Sequence, residues 1–335
     1  MRITSLLILL LSILQAAMAQ EDPGALVREG VSLFDKGEYQ KALKRYERAL
    51  ELRPRSSTIL YEMALTRYSM KEYEPCIILA DTIIAIKDNN LPMAYSIKAS
   101  ALLALGRMEE SDEVLMDGLE ATGGDAQLFY NLGVNFMKQE RIRDAETCFL
   151  NTIRIKPTHA SAYLMIAGIN RSGNPVKALL SAYHFLLLEP NSARSGSCLD
   201  MVWEILEGKA KKDTLTGNST IYMDEHTGKD SIYTSVALAI NIGAAARDQS
   251  QEQDDFSYFK HQTQMAVELL GGMNKYDGDD LWAGYLIPLF ADIYASNYGD
   301  VFTSYIARSR WPAAAQWLES HGKELEAFGK FLKGE

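Results

Sequence analysis

Cysteine is scarce in this chain: 335 residues hold three, Cys76, Cys148 and Cys198, none in a CxxC pair or at zinc-finger spacing. That excludes a disulfide-stapled scaffold and a locally encoded zinc module. Cys76 and Cys148 fall on apolar helix faces, where a free thiol acts as a small hydrophobe, although one bridge stays open. The five histidines, His159, His184, His226, His261 and His321, show no HExxH spacing, so a protease-type helical zinc site is not encoded. The chain also lacks a GxSxG nucleophile elbow, a GxxxxGK[ST] phosphate loop and a GxGxxG dinucleotide turn. An enzyme is therefore not expected, and neither a cofactor nor a metal is expected. Basic residues are outnumbered 34 to 44 by acidic ones, for a net charge of -10. A phosphate backbone or an anionic bilayer would be repelled, so nucleic acid is not an expected partner.

Long apolar runs are equally rare. The clearest is Leu6 to Leu14, preceded by Arg2 and followed by Ala17-Met18-Ala19. It spans roughly a dozen residues, short of the ~20 that cross a bilayer, and the small residues after it suit a signal peptidase. Residues 1–19 read as a cleaved signal peptide, which predicts an exported, periplasmic or extracellular protein with no membrane span in the mature chain. The stretch Leu281 to Ala295 is apolar but carries Asp292 and Pro288, and reads as a buried, kinked core helix.

What the chain has in abundance is self-similarity, with a period of about 34 residues. From Pro23, Gly30 and Leu33 lie on one helix, Gly37-Glu38-Tyr39 form a turn, and Ala42, Tyr46 and Ala49 lie on a second helix ending near Pro54. The fourth unit repeats the pattern with Leu132, Gly133 and Phe136, then Ala145, Phe149 and Pro157. Between them lie a unit with Ala64, Tyr73, Cys76 and Ala80 and one with Ala99, Gly106, Ser111 and Leu115; a fifth has Ala167, Gly173, Ala178 and Pro190. Small residues let paired helices approach closely, large aromatics fill the gap to the next pair, and prolines stop the second helix. The pattern resembles the tetratricopeptide repeat family over residues 23 to about 190, within a domain drawn over 20–190 as about five repeats. The middle units depart from it, since Asp88 stands where proline is usual and Cys76 and Ser111 replace alanine.

The resemblance implies an all-α fold: a right-handed α-solenoid of helix pairs followed by a divergent helical region over 191–335. It also implies that the first helices line a concave groove for a partner peptide or helix. The matching positions are Val27, Val31 and Phe34, then Tyr61, Leu65 and Tyr68, then Tyr130, Val134 and Met137, and in the fifth unit Leu164. Val27 and Val31 replace the Lys and Asn with which some family members grip a C-terminal carboxylate, so that clamp is not carried over. An open apolar groove of this kind would need a cover: a partner's helix, a second copy in a homo-oligomer, or the chain's own C-terminal half. Packing between adjacent helices is the plainer reading of the same side chains.

Past residue 190 the pattern fades. Apolar spacing predicts helices at about 194–211, 231–247, 255–270, 280–298 and 311–332, which either extend the solenoid as degenerate repeats or cap it. Thr220-Ile221-Tyr222-Met223 and its echo Ser231-Ile232-Tyr233-Thr234 suit a short hairpin or an extended loop. Asp224-Glu225-His226 with Asp230, and Asp277-Gly278-Asp279-Asp280, are weak cation candidates; helix capping explains the second, and Asp254-Asp255, better. The leading expectation is a protein-binding scaffold in envelope assembly or transport. The alternatives are an enzyme or ligand-binding domain in 191–335 with the repeats as adaptor, and self-assembly through the groove.

Overall fold

The computed structural model describes residues 21–208, 210–212, 219–221, 231–250, 254–273 and 280–335; the signal segment lies outside them. The chain divides into two compact units, residues 1–141 and 142–335, so the boundary drawn at residue 190 falls inside the second.

In the first unit Asp22 caps helix α1 (Pro23–Asp35), its carboxylate oxygens accepting from the amides of Gly24 and Ala25 at 3.0 Å each. Pro23 suits the first turn, where its missing N–H would be unpaired anyway. Six helices follow: α2 (Tyr39–Leu52), α3 (Ser57–Ser69), α4 (Tyr73–Ile86), α5 (Leu91–Ala104), α6 (Met108–Thr122) and α7 (Ala126–Lys138). One turn recurs between them. The Glu38 amide donates to the Leu33 carbonyl, Glu72 to Arg67, Arg107 to Leu102 and Arg141 to Phe136, each at 2.9 Å. The residue before each donor is left-handed: Gly37 (φ 75°), Lys71 (61°), Gly106 (78°) and Glu140 (59°). This is a Schellman closure, which satisfies helix-end carbonyls and favours glycine.

Close approach accounts for the small residues. A Cβ on Gly30 would lie 2.3 Å from Cε1 of Tyr46, and Ala42, Tyr46 and Ala49 are wholly buried. Where the units depart from the family pattern, polar groups substitute. Ser111 donates to the Ala99 carbonyl at 2.8 Å and accepts from Asn135 Nδ2 at 2.9 Å. Asp88 closes the second unit without a proline by accepting from the Ser57 hydroxyl, which in turn accepts from Asn90 Nδ2 at 2.7 Å. The first helices α1, α3, α5 and α7 lie successively against one another, forming an inner layer, while each second helix packs on its own first helix and the next one.

The second unit holds helices α8 (Ile142–Ile155), α9 (Ala160–Asn170), α10 (Pro175–Leu188), α11 (Ser195–Glu207), α12 (Ser231–Ser250) and α13 (Asp255–Met273). After them come a π-helical turn (Trp282–Leu286), α14 (Ile287–Ala295), α15 (Gly299–Ala307), α16 (Pro312–Ser320) and α17 (Gly322–Phe331). Helix α10 is buried on every face from Ala178 to Leu186, Ser181 and His184 included. It is packed by α9, α11, α12, α15 and the π turn. Tyr183 anchors it, sharing a 2.8 Å hydrogen bond with Thr263 and packing edge-on against Phe290 and Phe302. All three cysteines are buried.

Here the structure corrects several expectations. The helix predicted to reach residue 211 ends at Glu207, and Ala210–Lys212 pairs antiparallel with Ser219–Ile221, Lys211 opposite Thr220. The 231–234 echo begins α12 instead of pairing with 220–223, because its apolar residues continue at helical spacing. The 280–298 helix is a π turn followed by α14, the wide turn falling just ahead of Pro288, whose ring excludes a regular amide bond. The 311–332 helix is two, broken at His321 before Gly322. Helix α15, hidden behind Asn297, Tyr298 and Gly299, was not foreseen. Its turn from α14 repeats the repeat closure: Asn297 is left-handed (φ 63°) and the Tyr298 amide donates to Ile293 at 2.9 Å. Phe290 and Phe302 occupy the positions of Gly30 and Ala42, their rings 5.3 Å apart. The pair thus shares the turn of the repeats while large rings stand where the repeats hold small side chains.

Candidate functional site

The first helices place the sequence-nominated residues in register. Val27, Val31 and Phe34 on α1, Tyr61, Leu65 and Tyr68 on α3, and Tyr130, Val134 and Met137 on α7 are all half-buried. Those on α1 pack against the cluster of Leu26, Leu43, Tyr46 and Ile59, and those on α3 against that of Ala64, Cys76, Ile77 and Ile97. Phe34 and Tyr68 each meet the first residue of the following helix, Tyr39 at 5.3 Å and Tyr73 at 5.5 Å. Part of each side chain is therefore core, and the remainder faces outward. The most exposed large apolar residue, Ile78 at 66%, lies instead on the second helix α4. Leu164 is half-buried on α9 of the second unit.

Two features of this face were missed. On α5 the register carries Ser96 and Ser100: the Ser96 hydroxyl accepts from Asn131 Nδ2 at 2.6 Å, and Ser100 donates to the Ser96 carbonyl at 2.9 Å. They set a polar step into the apolar rows; the 35-residue offset of this unit concealed them. The second is Glu62 beside Tyr61. Burial, and then the charge of Asp35, push its carboxyl above the ordinary range, and burial raises the Tyr61 and Tyr68 phenols.

The second unit contains a half-open cleft of about 680 Å³. One wall is the end of α8 with Leu150, Ile153 and Arg154, followed by Pro157; the other is the π turn with Trp282 and Tyr285, and Tyr163 of α9 completes it. Trp282 Nε1 donates to the Lys177 carbonyl and Ser181 Oγ at 3.2 Å each, and Lys177 Nζ sits 4.4 Å from the centre of its ring. Beside Tyr163, 4.1 Å between ring centres, lies buried His184. Burial lowers its pKa to about 4 against a hydrogen bond to the Pro157 backbone. No local sequence signal joins these residues.

The described histidines do not assemble. His159 Nδ1 accepts from the Ala162 amide at 3.3 Å, His261 is exposed, and His321 stacks on Trp317 at 3.9 Å. Asp280 accepts from the Ala283 amide at 2.6 Å and Asp254 from those of Phe256 and Ser257 at 3.0 Å each, the capping roles expected of them. Asp224, Glu225, His226, Asp230, Asp277 and Asp279 lie outside the described residues. Among the described residues no group of three or more His, Cys, Asp or Glu could hold a metal ion, and no helix is long and apolar enough to cross a membrane.

Residues 30–71, which contain the first turn, the second and the Gly30–Tyr46 contact, match the protein family described as TPR repeat. The family match thus extends over the end of the first helix pair and the start of the second, and the stacked helix pairs around it share the tetratricopeptide-type architecture. Solved structures similar to the repeat chain include a thermophilic TPR protein of Thermus thermophilus, 23% identical over 53% of this chain and 98% of its own, with a TM-score of 0.45. The pilF protein of Pseudomonas aeruginosa is 16% identical over 72% of this chain and 97% of its own, with a TM-score of 0.47. A tetratricopeptide repeat protein of Parabacteroides merdae is 11% identical over 80% and 98%, with a TM-score of 0.41. No curated protein matches the chain significantly.

Proposed function

We propose that the chain is an exported, non-enzymatic adaptor whose repeat face holds a partner's peptide or helix during envelope assembly or transport. The observation that carries this reading is the register of half-buried Val27, Tyr61 and Tyr130 on the first helices α1, α3 and α7, apolar anchors interrupted on α5 by the polar step at Ser96. Such anchors provide affinity while polar rims select the partner. Export rests on the Leu6 to Leu14 run and Ala17-Met18-Ala19; N-terminal sequencing of the protein recovered from its envelope should begin at Gln20. The binding reading is tested by comparing partners captured by the mature chain with those captured by a Tyr61→Ala, Tyr130→Ala chain, then reconstituting the purified pair. Loss of binding with an unchanged helical circular-dichroism spectrum is expected. Unaltered binding refutes the groove, and a concentration-dependent dimer in light scattering that the double substitution dissolves would replace the partner with a second copy.

A further inference from the structure

We propose that the cleft of the second unit binds a small amphipathic carboxylate, its apolar body against Ile153, Trp282 and Tyr285 and its anionic end on Arg154. A volume of about 680 Å³ is the size of cavity that encloses a medium-sized organic ligand. The charge argues for an anion. Arg154 is exposed at the cleft and its guanidinium bonds a neutral partner, Asn151 Oδ1, at 3.1 Å. Asp280 lines the same cleft, yet its carboxylate is engaged by the Ala283 amide at a helix start, and the two make no ion pair. Arg154 therefore presents guanidinium donors beside the aromatic wall, whereas the Asp280 carboxylate that balances its charge is turned to the helix start.

A second observation points to a guest. Tyr163 lines the cleft and is fully buried, and its hydroxyl has no hydrogen-bond partner; neither has Nδ1 of the adjacent His184. Buried polar atoms are rarely left unpaired, so a polar group or water that entered beside the Tyr163 ring would complete this wall. The π turn contributes by widening the helix where Trp282 and Tyr285 face the cleft, a distortion that recurs at binding sites. An extended peptide fits less well, because its amides would be buried against the side-chain carbon of Leu150, Ile153 and Pro157. This inference does not rest on the repeat groove.

The test is calorimetric titration of the full mature chain with dodecanoate, with dodecyltrimethylammonium, and with a Ser-Gly heptapeptide ending in leucine. One dodecanoate per chain is expected, bound about tenfold more weakly after Arg154→Glu, the loss of one charge-assisted contact. The ammonium amphiphile should bind the original chain more weakly and the Arg154→Glu chain more tightly. Trp282→Phe should abolish the dodecanoate-induced change in tryptophan emission. The Tyr61→Ala, Tyr130→Ala chain should bind dodecanoate unchanged, which separates this site from the groove. Arg154 is exposed, so its substitution leaves the fold intact, as circular dichroism will verify. Absence of saturation, equal affinity after Arg154→Glu, equal binding of the ammonium, or tighter binding of the leucine peptide each overturns the proposal.

Discussion

Gly30 lies against the ring of Tyr46 so closely that a side-chain carbon there would stand 2.3 Å from Cε1. Gly30→Ala should lower the unfolding free energy by roughly 1–3 kcal/mol, because overpacking outweighs the ~1 kcal/mol helix-propensity gain. Adding Tyr46→Leu should make the same Gly30→Ala change milder. Urea unfolding of the four chains gives the coupling, and purely additive effects would refute the steric account.

The left-handed turns predict opposite signs at equivalent positions. Gly37 has open space around it, so Gly37→Ala should destabilise through backbone strain alone, by about 1 kcal/mol. Glu140→Gly should stabilise by a fraction of that, since glycine relieves the strain while loosening the unfolded chain. Thermal melting of the two variants distinguishes backbone strain from packing.

His184 makes the second unit sensitive to acid. Burial holds its folded pKa at about 4, below the ordinary value of 6.5, so the unfolded chain binds the extra proton first. Its contribution is present above pH 6.5 and is lost as pH falls towards 4, on the order of 3 kcal/mol at most. Urea midpoints from pH 7 to 4 should fall more steeply for the original chain than for His184→Gln; parallel profiles would contradict the assignment.

Asn135 is buried and donates to Ser111 Oγ at 2.9 Å and to Asp112 Oδ1 at 2.8 Å. Asn135→Leu should cost about 1–3 kcal/mol by leaving the Asp112 carboxylate short of a donor. Asn135→Leu with Asp112→Leu should recover part of that loss. A double variant no better than the single would show that the orphaned Asp112 carboxylate is not the source of the loss.

The repeats were legible because close helix approach restricts a few positions to small side chains, and Gly30, Ala42, Gly133 and Ala145 keep that restriction at constant spacing. At α14 and α15 the same backbone turn survives, but Phe290 and Phe302 replace the small residues, so the letters vanished while the geometry remained. The hairpin partner of 219–221 could not be read, since pairing with 210–212 depends on register that three-residue strands do not encode. The groove positions were placed by register, whereas their half-packed state emerged only from neighbouring helices. The cleft was invisible for a similar reason: Arg154 and Tyr285 meet only in three dimensions.

Helix α10 has a consequence for the order in which the chain is made. The first unit closes through contacts between neighbouring helices, so each pair can settle soon after it leaves the ribosome or a translocation channel. The Tyr183 hydroxyl must wait for Thr263, 80 residues later, and its ring waits longer for Phe290 and Phe302. During that interval the apolar face of α10 that meets Phe290 and Phe302 is uncovered, so α10 is where a nascent chain would engage a holding chaperone. Truncations that end between α10 and α15 should be insoluble, whereas one ending at Arg141 should not.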